Sequence, residues 1–225
     1  MYKLYHQILC PFSRKVRICL AARDINFELI KENFWERRRE FIALNPALTV
    51  PVLLDDHGKA ICGSYVITEY LEEKYGQNNS LIGQNIDEKS EARRIQSWFD
   101  EKFFNDVSKY IIYEKYFKKF LNKKSASPES YILNTASENL TTHLNYIEFL
   151  TEGRQYLAAD RITIADFAAA AHISVLDYFG YINWRNYPMV KSWYVLVKSH
   201  QSFGGILKDR IANITPPEYY NKLDF

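Results

Sequence analysis

The sequence has little of what marks several classes of protein. Cysteine is rare: Cys10, Cys19 and Cys62 are an odd and small number in 225 residues, which argues against a disulfide scaffold. Long hydrophobic runs are missing too, and the N-terminus carries no apolar signal region. We therefore expect a cytoplasmic protein with no membrane insertion.

An excess of one charge sign is also missing. Lys and Arg total 29 against 27 Asp and Glu, so the balance predicts no basic face for nucleic acid. The five histidines lack the short spacing of a metal site, and no glycine-rich phosphate loop is present. These absences leave small molecules and proteins as the expected partners.

The first third of the chain alternates between strand and helix patterns. Residues 2–6 and 26–30 have the alternation of strands, while 12–23 and 36–44 have the apolar spacing of helices. A hairpin pattern and a third helix over 65–75 follow. The order β-α-β-α-β-β-α indicates an α+β, thioredoxin-like domain with a mixed sheet covered by helices.

Two positions near the hairpin could hold a peptide-like ligand. Pro51 opens the first hairpin strand, and we hypothesise a cis peptide between Val50 and Pro51 that turns the peptide groups of Val50 outward. An ordinary trans proline at a strand start is the alternative. Ser64 is predicted to cap the third helix, whose free N–H groups favour carboxylates. A simple helix cap is the alternative there.

The rest of the chain has helical patterns. Polar, turn-prone residues predict a linker at 77–86, and apolar residues at three- and four-residue steps over 95–111 predict one long amphipathic helix. Residues 118–128 are expected to interrupt it. A capping box at 163–166 predicts the start of a central helix with small residues nearly all round.

We therefore predict four segments: a thioredoxin-like domain at 1–76, the linker at 77–86, an all-helical domain at 87–210 and an ordered C-terminal tail at 211–225. Two prolines in the tail forbid a helix, yet aromatic and apolar residues follow them. We expect the tail to fold back along the protein and to bring Asp224 to a binding face. A passive lid on the helical domain is the alternative.

Several motifs in this order and spacing resemble the cytosolic glutathione transferase family over nearly the whole chain. They are Cys10-Pro11-Phe12-Ser13, Val50-Pro51-Val52-Leu53, Gly63-Ser64 and the segment from Leu157 to Phe167. The resemblance implies a thioredoxin-like domain followed by an all-α helical bundle, a cis Pro51 and usually a homodimer.

Three further segments resemble a narrower group. Residues 93–103, residues 177–180 with Trp184, and residues 219–225 look like the glutathione-transferase-like cell division proteins of alphaproteobacteria that bind the tubulin-like polymer FtsZ. This similarity implies an FtsZ-binding regulator of constriction, recruited to the division site, rather than a conjugating enzyme.

Cys10 and Ser13 are the candidate catalytic residues. A thiol at the start of the first helix gains from the helix N-terminus and from the basic residues after it, so we expect its pKa to fall from ~8.5 toward roughly 4–7. In the transferase interpretation Cys10 would form a mixed disulfide with glutathione, or Ser13 would stabilise its thiolate. The alternative is a small buried cysteine followed by a capping serine.

Gly63 stands where most transferases carry an acid or glutamine for the γ-glutamyl ammonium group. A charge-assisted hydrogen bond contributes roughly 1.5–3 kcal/mol, so its loss would weaken glutathione by about 10- to 100-fold. We therefore predict weak or absent glutathione binding, no required cofactor, and a vestigial site at Val50, Pro51, Gly63 and Ser64.

Three residues are predicted to contact a protein partner: Trp35, Glu114 and Asp224. Trp35 precedes three arginines in a loop that looks exposed, and Trp and Arg are common binding hot spots. Glu114 lies in a segment of mixed charge and aromatics, and Asp224 lies in the tail. Packing of Trp35 on its own domain is the alternative.

Two functions remain open from the sequence. The first is a non-catalytic homodimer that binds FtsZ, favoured by Gly63 and the tail. The second is a glutathione transferase or glutathione-dependent thiol transferase that uses Cys10 or Ser13, favoured by the motif at 10–13.

Overall fold

A four-stranded mixed sheet forms the N-terminal domain. The computed structural model describes residues 1–77, 79–121 and 127–223. The strand order is β2-β1-β3-β4, with β1 parallel to β2 and antiparallel to β3, and with β3 antiparallel to β4. The strands are β1 (Tyr2–His6), β2 (Phe27–Lys31), β3 (Val52–Leu54) and β4 (Ala60–Cys62). This sheet confirms the predicted thioredoxin-like arrangement.

Three helices accompany the sheet: α1 (Pro11–Ala21), α2 (Arg39–Leu44) and α3 (Ser64–Tyr75). Two predicted helix starts were wrong. The second helix begins at Arg39 rather than at residue 36, because Phe34–Glu36 forms a 3-10 turn that ends at Arg37 with a left-handed φ of 51°. Ser64 is the first residue of α3 rather than its N-cap, a position that Gly63 occupies with φ 90°.

The second domain is helical, as predicted. A continuous helical rod runs through α4 (Ile86–Ser97), a π-helical stretch (Trp98–Ser108), α5 (Lys109–Ile112), a second π-helical stretch (Tyr113–Phe117) and α6 (Lys118–Leu121). The rod therefore continues through 118–121, where the sequence predicted an interruption. The remaining helices are α7 (Ser130–Thr151), α8 (Ile164–Tyr178), α9 (Pro188–Ser199) and α10 (Gly204–Leu207).

Helix α8 lies at the centre of the molecule. All fifteen of its residues are buried, and it packs against both α1 and α4. The predicted capping box is present: the backbone N–H of Thr163 donates to the Asp166 carboxylate, which also accepts from the Leu157 N–H and from the indole of Trp193. No helix in the described part of the chain is long and apolar enough to cross a bilayer.

The C-terminal tail folds back on the helical domain over its described residues. Ile211 and Ile214 form an isolated bridge, and a 3-10 turn follows at Glu218–Asn221. Within this turn Tyr220 is fully buried. Asp224, the predicted partner contact, lies outside the described residues.

Candidate functional site

A cavity of about 710 Å³ lies between the two domains. Among the residues the structure describes, only two of those that line it, Lys109 and Glu114, are charged. The lining consists of Cys10, Pro11, Phe12, Phe34, Leu48, Thr49, Val50, Phe104, Lys109, Tyr110, Ile112, Tyr113, Glu114, Phe117, Leu121 and Ile132. Such a surface suits an apolar group and offers few fixed hydrogen-bonding partners to a charged one.

Cys10 lines this cavity, but its thiol is not activated. It is half-buried, and its Sγ–H faces the Val50 carbonyl at 3.8 Å. Burial raises the pKa of the Cys10 thiol, and hydrogen bonds with Ser13 and Phe12 and the charge of Arg14 do not offset that rise. The expected lowering of this pKa was therefore wrong.

The contacts of Lys15 and Arg17 in α1 explain why the pKa of Cys10 was predicted wrongly. These two residues form ion pairs at the domain interface and do not stabilise the thiolate. Lys15 pairs with Asp100, and Arg17 donates to both carboxylate oxygens of Asp209 at 2.7 and 2.9 Å. Both cations are buried and turned toward the helical domain. Periodicity could place them on α1, but only the packed helices decide which way their charges point.

Ser13 is fully buried and lies outside the described lining of the cavity. Its hydroxyl accepts the Gln7 N–H at 3.4 Å. A ligand sulfur cannot reach a hydroxyl inside the packed start of α1 without local opening. Of the two predicted alternatives for the group that meets the glutathione sulfur, Cys10 is therefore more accessible than Ser13, and the assignment stays a prediction. No side chain caps this helix start.

We call the predicted glutathione-binding residues Val50, Pro51, Gly63 and Ser64 the cradle. The peptide between Val50 and Pro51 is cis, which confirms that hypothesis. The Pro51 carbonyl accepts the Gly63 N–H at 3.1 Å, and α3 then begins with Ser64, which is 9% exposed. Pro51, Gly63 and Ser64 are absent from the described lining of the apolar cavity. The cradle and the cavity are thus neighbouring but separate surfaces that meet at Val50.

Gly63 has room for a side chain. A Cβ built on it would have no atom within 4 Å, although its φ of 90° lies in the left-handed region that favours glycine. Crowding therefore does not explain why position 63 carries glycine and no acidic side chain.

Trp35 is half-buried, so the expectation of an exposed tryptophan was wrong. Its ring stacks on Phe120 with centroids 5.2 Å apart and planes at 17°, and it meets Phe117 edge-on at 5.5 Å. Phe34 contacts both Trp35 and Phe117, at 5.2 and 5.4 Å. We call Phe34, Trp35, Phe117 and Phe120 the aromatic clasp. It joins the two domains, an alternative that neither the exposed nor the same-domain interpretation included.

Glu114 is 1% exposed and has internal partners. Its carboxylate pairs with Lys118 at 2.9 Å and accepts the backbone N–H of Glu129 at 2.8 Å. Burial alone would raise the pKa of Glu114, but these two groups hold it below its usual value. Glu114 ties the end of the helical rod to the start of α7. Glu114 also lines the cavity, and its expected role as a direct partner contact stays a prediction.

The sequence contained a usable signal for the missed clasp residues. Tyr113, Phe117 and Phe120 are spaced four and three residues apart, which places them on one face of a helix. This helical face was missed because the helix was predicted to be interrupted from residue 118, which left Phe120 outside it. Phe120 is 49% exposed, so the clasp also presents an open aromatic surface.

Family models match both parts of the chain. The model for the glutathione S-transferase N-terminal domain matches residues 4–79, and the model for its C-terminal domain matches residues 105–204. The two matches fall on the thioredoxin-like domain and on the helical domain.

Individual relatives cover the whole chain. FtsZ-localized protein A of Caulobacter vibrioides is 39% identical over 225 residues, which span 99% of this chain and 97% of that protein. The solved structure of FzlA from C. crescentus superposes with a TM-score of 0.94 at 39% identity, over 100% of this chain and 99% of that one. A glutathione S-transferase from Rhodospirillum rubrum F11 superposes with a TM-score of 0.95 at 40% identity over 100% of both chains.

Proposed function

This chain belongs to the glutathione S-transferase family, and we propose that it binds the division polymer FtsZ and regulates cell constriction without conjugating glutathione. The observation that carries the proposal is the 39% identity to FtsZ-localized protein A over 99% of the chain. An identity spread over the full length, tail included, supports a shared role more than a match confined to one domain does.

The chemistry of the cleft supports the non-catalytic part of the proposal. The Cys10 thiol has a raised pKa, the Ser13 hydroxyl is buried, and position 63 lacks an acid. A transferase needs a group that stabilises the glutathione thiolate at neutral pH. Neither Cys10 nor Ser13 supplies one in the described structure, and position 63 lacks the acid that would hold the ligand ammonium, so we propose that glutathione binds weakly and is not a cofactor.

The aromatic clasp is the docking surface we propose for FtsZ. Trp35 and Phe120 offer half-buried and exposed aromatic area, which suits a binding anchor. Residues 36–40, which are three arginines and two glutamates, are exposed after Trp35. The net positive charge of this segment, next to an aromatic anchor, favours an acidic segment of FtsZ that carries an apolar side chain.

We further propose a cytoplasmic homodimer that is recruited to the division site. Tyr65 and Val66 stand next to each other on α3 and are 53% and 54% exposed. Adjacent exposed apolar side chains at the start of a helix support a contact with a second copy.

Cosedimentation with FtsZ polymers, run beside a glutathione conjugation and thiol-exchange assay, tests the proposal. We expect the protein to pellet with polymers, to stay in the supernatant without them, and to show no turnover above the uncatalysed rate. Turnover without cosedimentation would reverse the proposal.

A glutathione transferase or thiol transferase that uses Cys10 is the second candidate. The observation that favours it is the position of the thiol on the cavity wall beside the Val50 carbonyl. In that case the protein would show turnover without cosedimentation, and Cys10→Ala would abolish the turnover.

A further inference from the structure

The Arg14 guanidinium joins three parts of the chain inside the protein. Its Nε donates to the Ile8 carbonyl at 2.9 Å, while its Nη1 donates to the Ser174 hydroxyl at 2.8 Å and to the Tyr220 hydroxyl at 3.2 Å. Arg14 is fully buried, and Asp209 lies 3.8 Å from Nη2. A buried cation that loses a partner is costly, so these contacts hold one another in place.

Leu9 shares a buried apolar cluster with the tail. It is fully buried in a cluster with Tyr220, Val175 and Tyr178. The same cluster includes Ile112 of the helical rod, a residue that also lines the cavity. Tyr220 therefore contacts Arg14 directly and shares an apolar cluster with Leu9 in this part of the N-terminal domain.

The tail is fastened on both sides of Tyr220. Before it, the Tyr178 hydroxyl donates to the Ile214 carbonyl at 3.0 Å and accepts the Ile211 N–H at 3.2 Å. After it, the Lys198 ammonium donates to the Lys222 carbonyl at 2.8 Å. These bonds hold the 3-10 turn at Glu218–Asn221 against the body of the protein.

The residue after Leu9 is Cys10, which forms part of the cavity wall. The turn closes with the Cys10 N–H donating to the Gln7 carbonyl at 3.1 Å, and the Cys10 carbonyl accepts the first backbone bond from α1. We propose that the C-terminal tail is a tie: Tyr220 holds residues 8–10 through Arg14 and Leu9, and so keeps this wall of the cavity closed.

The tie would regulate the proposed function. Phe34 and Phe117 of the aromatic clasp line the same cavity as Cys10. A partner that docks on the clasp and spreads this wall would weaken the tail's hold, and by reciprocity release of the tail would raise the affinity for that partner. This regulatory part rests on FtsZ being the partner, whereas the tie itself is a property of this chain alone.

Thiol labelling tests the tie without FtsZ. In a Cys62→Ser background, Cys10 reports on the cavity wall, and the fully buried Cys19 reports on opening of the whole domain. Labelling with iodoacetamide at one pH, followed by mass spectrometry, gives the labelling rates of Cys10 and Cys19. We expect Tyr220→Ala to speed Cys10 labelling by about 10-fold or more and to leave Cys19 unchanged.

Two matched variants complete the experiment. Tyr220→Phe keeps the ring and loses only the bond to Arg14, so we expect Cys10 to label about fivefold faster. Glu218→Ala alters an exposed side chain of the same 3-10 turn, outside the Leu9 cluster, and should leave both rates unchanged. If Tyr220→Ala does not fold, Tyr220→Phe still decides the question.

Two outcomes overturn the tie. Either Cys10 labels at the parent rate in the Tyr220 variants, or Cys10 and Cys19 accelerate equally, which would mean that the tail stabilises the whole fold and not this wall. In a separate arm, FtsZ polymers added to the parent protein should speed Cys10 labelling by about 10-fold, the change expected for Tyr220→Ala. An unchanged rate overturns the regulatory part alone, and absent cosedimentation rejects the proposed function instead.

Discussion

Behind the cavity, α1 meets the helical domain through buried charges, whereas at the clasp the two domains meet through aromatic rings. Lys15 pairs with Asp100 with side chains only 1% and 12% exposed. Trp35 and Phe120 stack in a half-exposed position at the edge of the cleft. The same two domains are thus joined by two different kinds of chemistry.

The difference separates the part of the interface that holds the fold from the part that can recognise a partner. A buried ion pair has strict geometry and is costly to break, so it fixes the domain orientation. Half-exposed rings lose less when they exchange one contact for another, so they can bind a partner without unfolding the protein. The next four changes test this division, from the largest expected effect to the smallest.

Lys15→Met should cause the largest loss of stability. It leaves the Asp100 carboxylate buried without its cation, which costs about 3–5 kcal/mol and lowers the melting temperature by about 10 °C. Lys102→Met is the control, because that lysine is 54% exposed and pairs with the partly exposed Asp106. Calorimetry measures the melting temperatures of both variants. Equal melting temperatures would contradict the larger stabilising role that we give to the buried ion pair.

Trp35→Ala should reduce FtsZ binding by about 2 kcal/mol or more, roughly 30-fold, with a much smaller change in melting temperature. The reason is that a half-exposed aromatic anchor contributes more to docking than to the core. Phe149→Ala is the control, since this ring is 67% exposed on α7 and lies outside the clasp. Cosedimentation over a range of FtsZ concentrations measures the loss. Normal binding by the Trp35 variant would place the docking surface elsewhere.

Gly63→Glu should restore part of a glutathione site next to the cavity. We expect affinity to rise by about 10- to 100-fold, because the carboxylate regains a charge-assisted bond to the ligand ammonium. The left-handed φ will cost about 1–2 kcal/mol of stability. Gly58→Glu is the matched control, with φ 81° and open space in the hairpin turn. Isothermal titration that shows equal affinity for both variants would contradict the role given to Gly63.

His6, which lies near Arg17, should make the stability of the folded protein depend on pH below neutrality. Burial and the nearby Arg17 lower the pKa of His6 to about 4, from an ordinary value near 6.5. The unfolded chain therefore takes up a proton first as the pH falls below 6.5, and the folded state loses about 2 kcal/mol by pH 5.

Denaturant unfolding at pH 7 and pH 5 checks this dependence. His6→Gln should reduce the difference in stability between the two pH values, whatever its effect at pH 7. His57→Gln, which alters an exposed side chain, should not. An undiminished difference in the His6 variant would mean that other groups cause the acid sensitivity.

Much of the fold could be predicted because local patterns determine it. Alternating strands, the capping box at Thr163 and Asp166, and helical spacing from Ile95 to Ile111 all act between near neighbours in the sequence. The errors occurred where a turn competed with a helix, as at Phe34–Glu36, or where apolar contacts from the other domain extended a helix, as at Phe120.

The site was harder to predict because its chemistry depends on burial. Sequence placed Cys10 at a helix start and inferred a low pKa, but packing raised that pKa and turned the neighbouring cations away. It placed Glu114 in a segment of mixed charge and aromatics, but did not show that Glu114 is buried and paired with Lys118. Desolvation and side-chain direction are set by residues far along the chain, so no local pattern contains them.

By itself the sequence determined the two-domain family fold, the missing acid at Gly63 and an aromatic tail that could not remain in solvent, because each follows from residue type and near-neighbour spacing. Tertiary structure alone decided that Trp35 stacks across the cleft and that Tyr220 reaches Arg14 and joins the cluster around Leu9. Those contacts join residues from different domains or opposite ends of the chain, and only the packed core brings them within reach of one another.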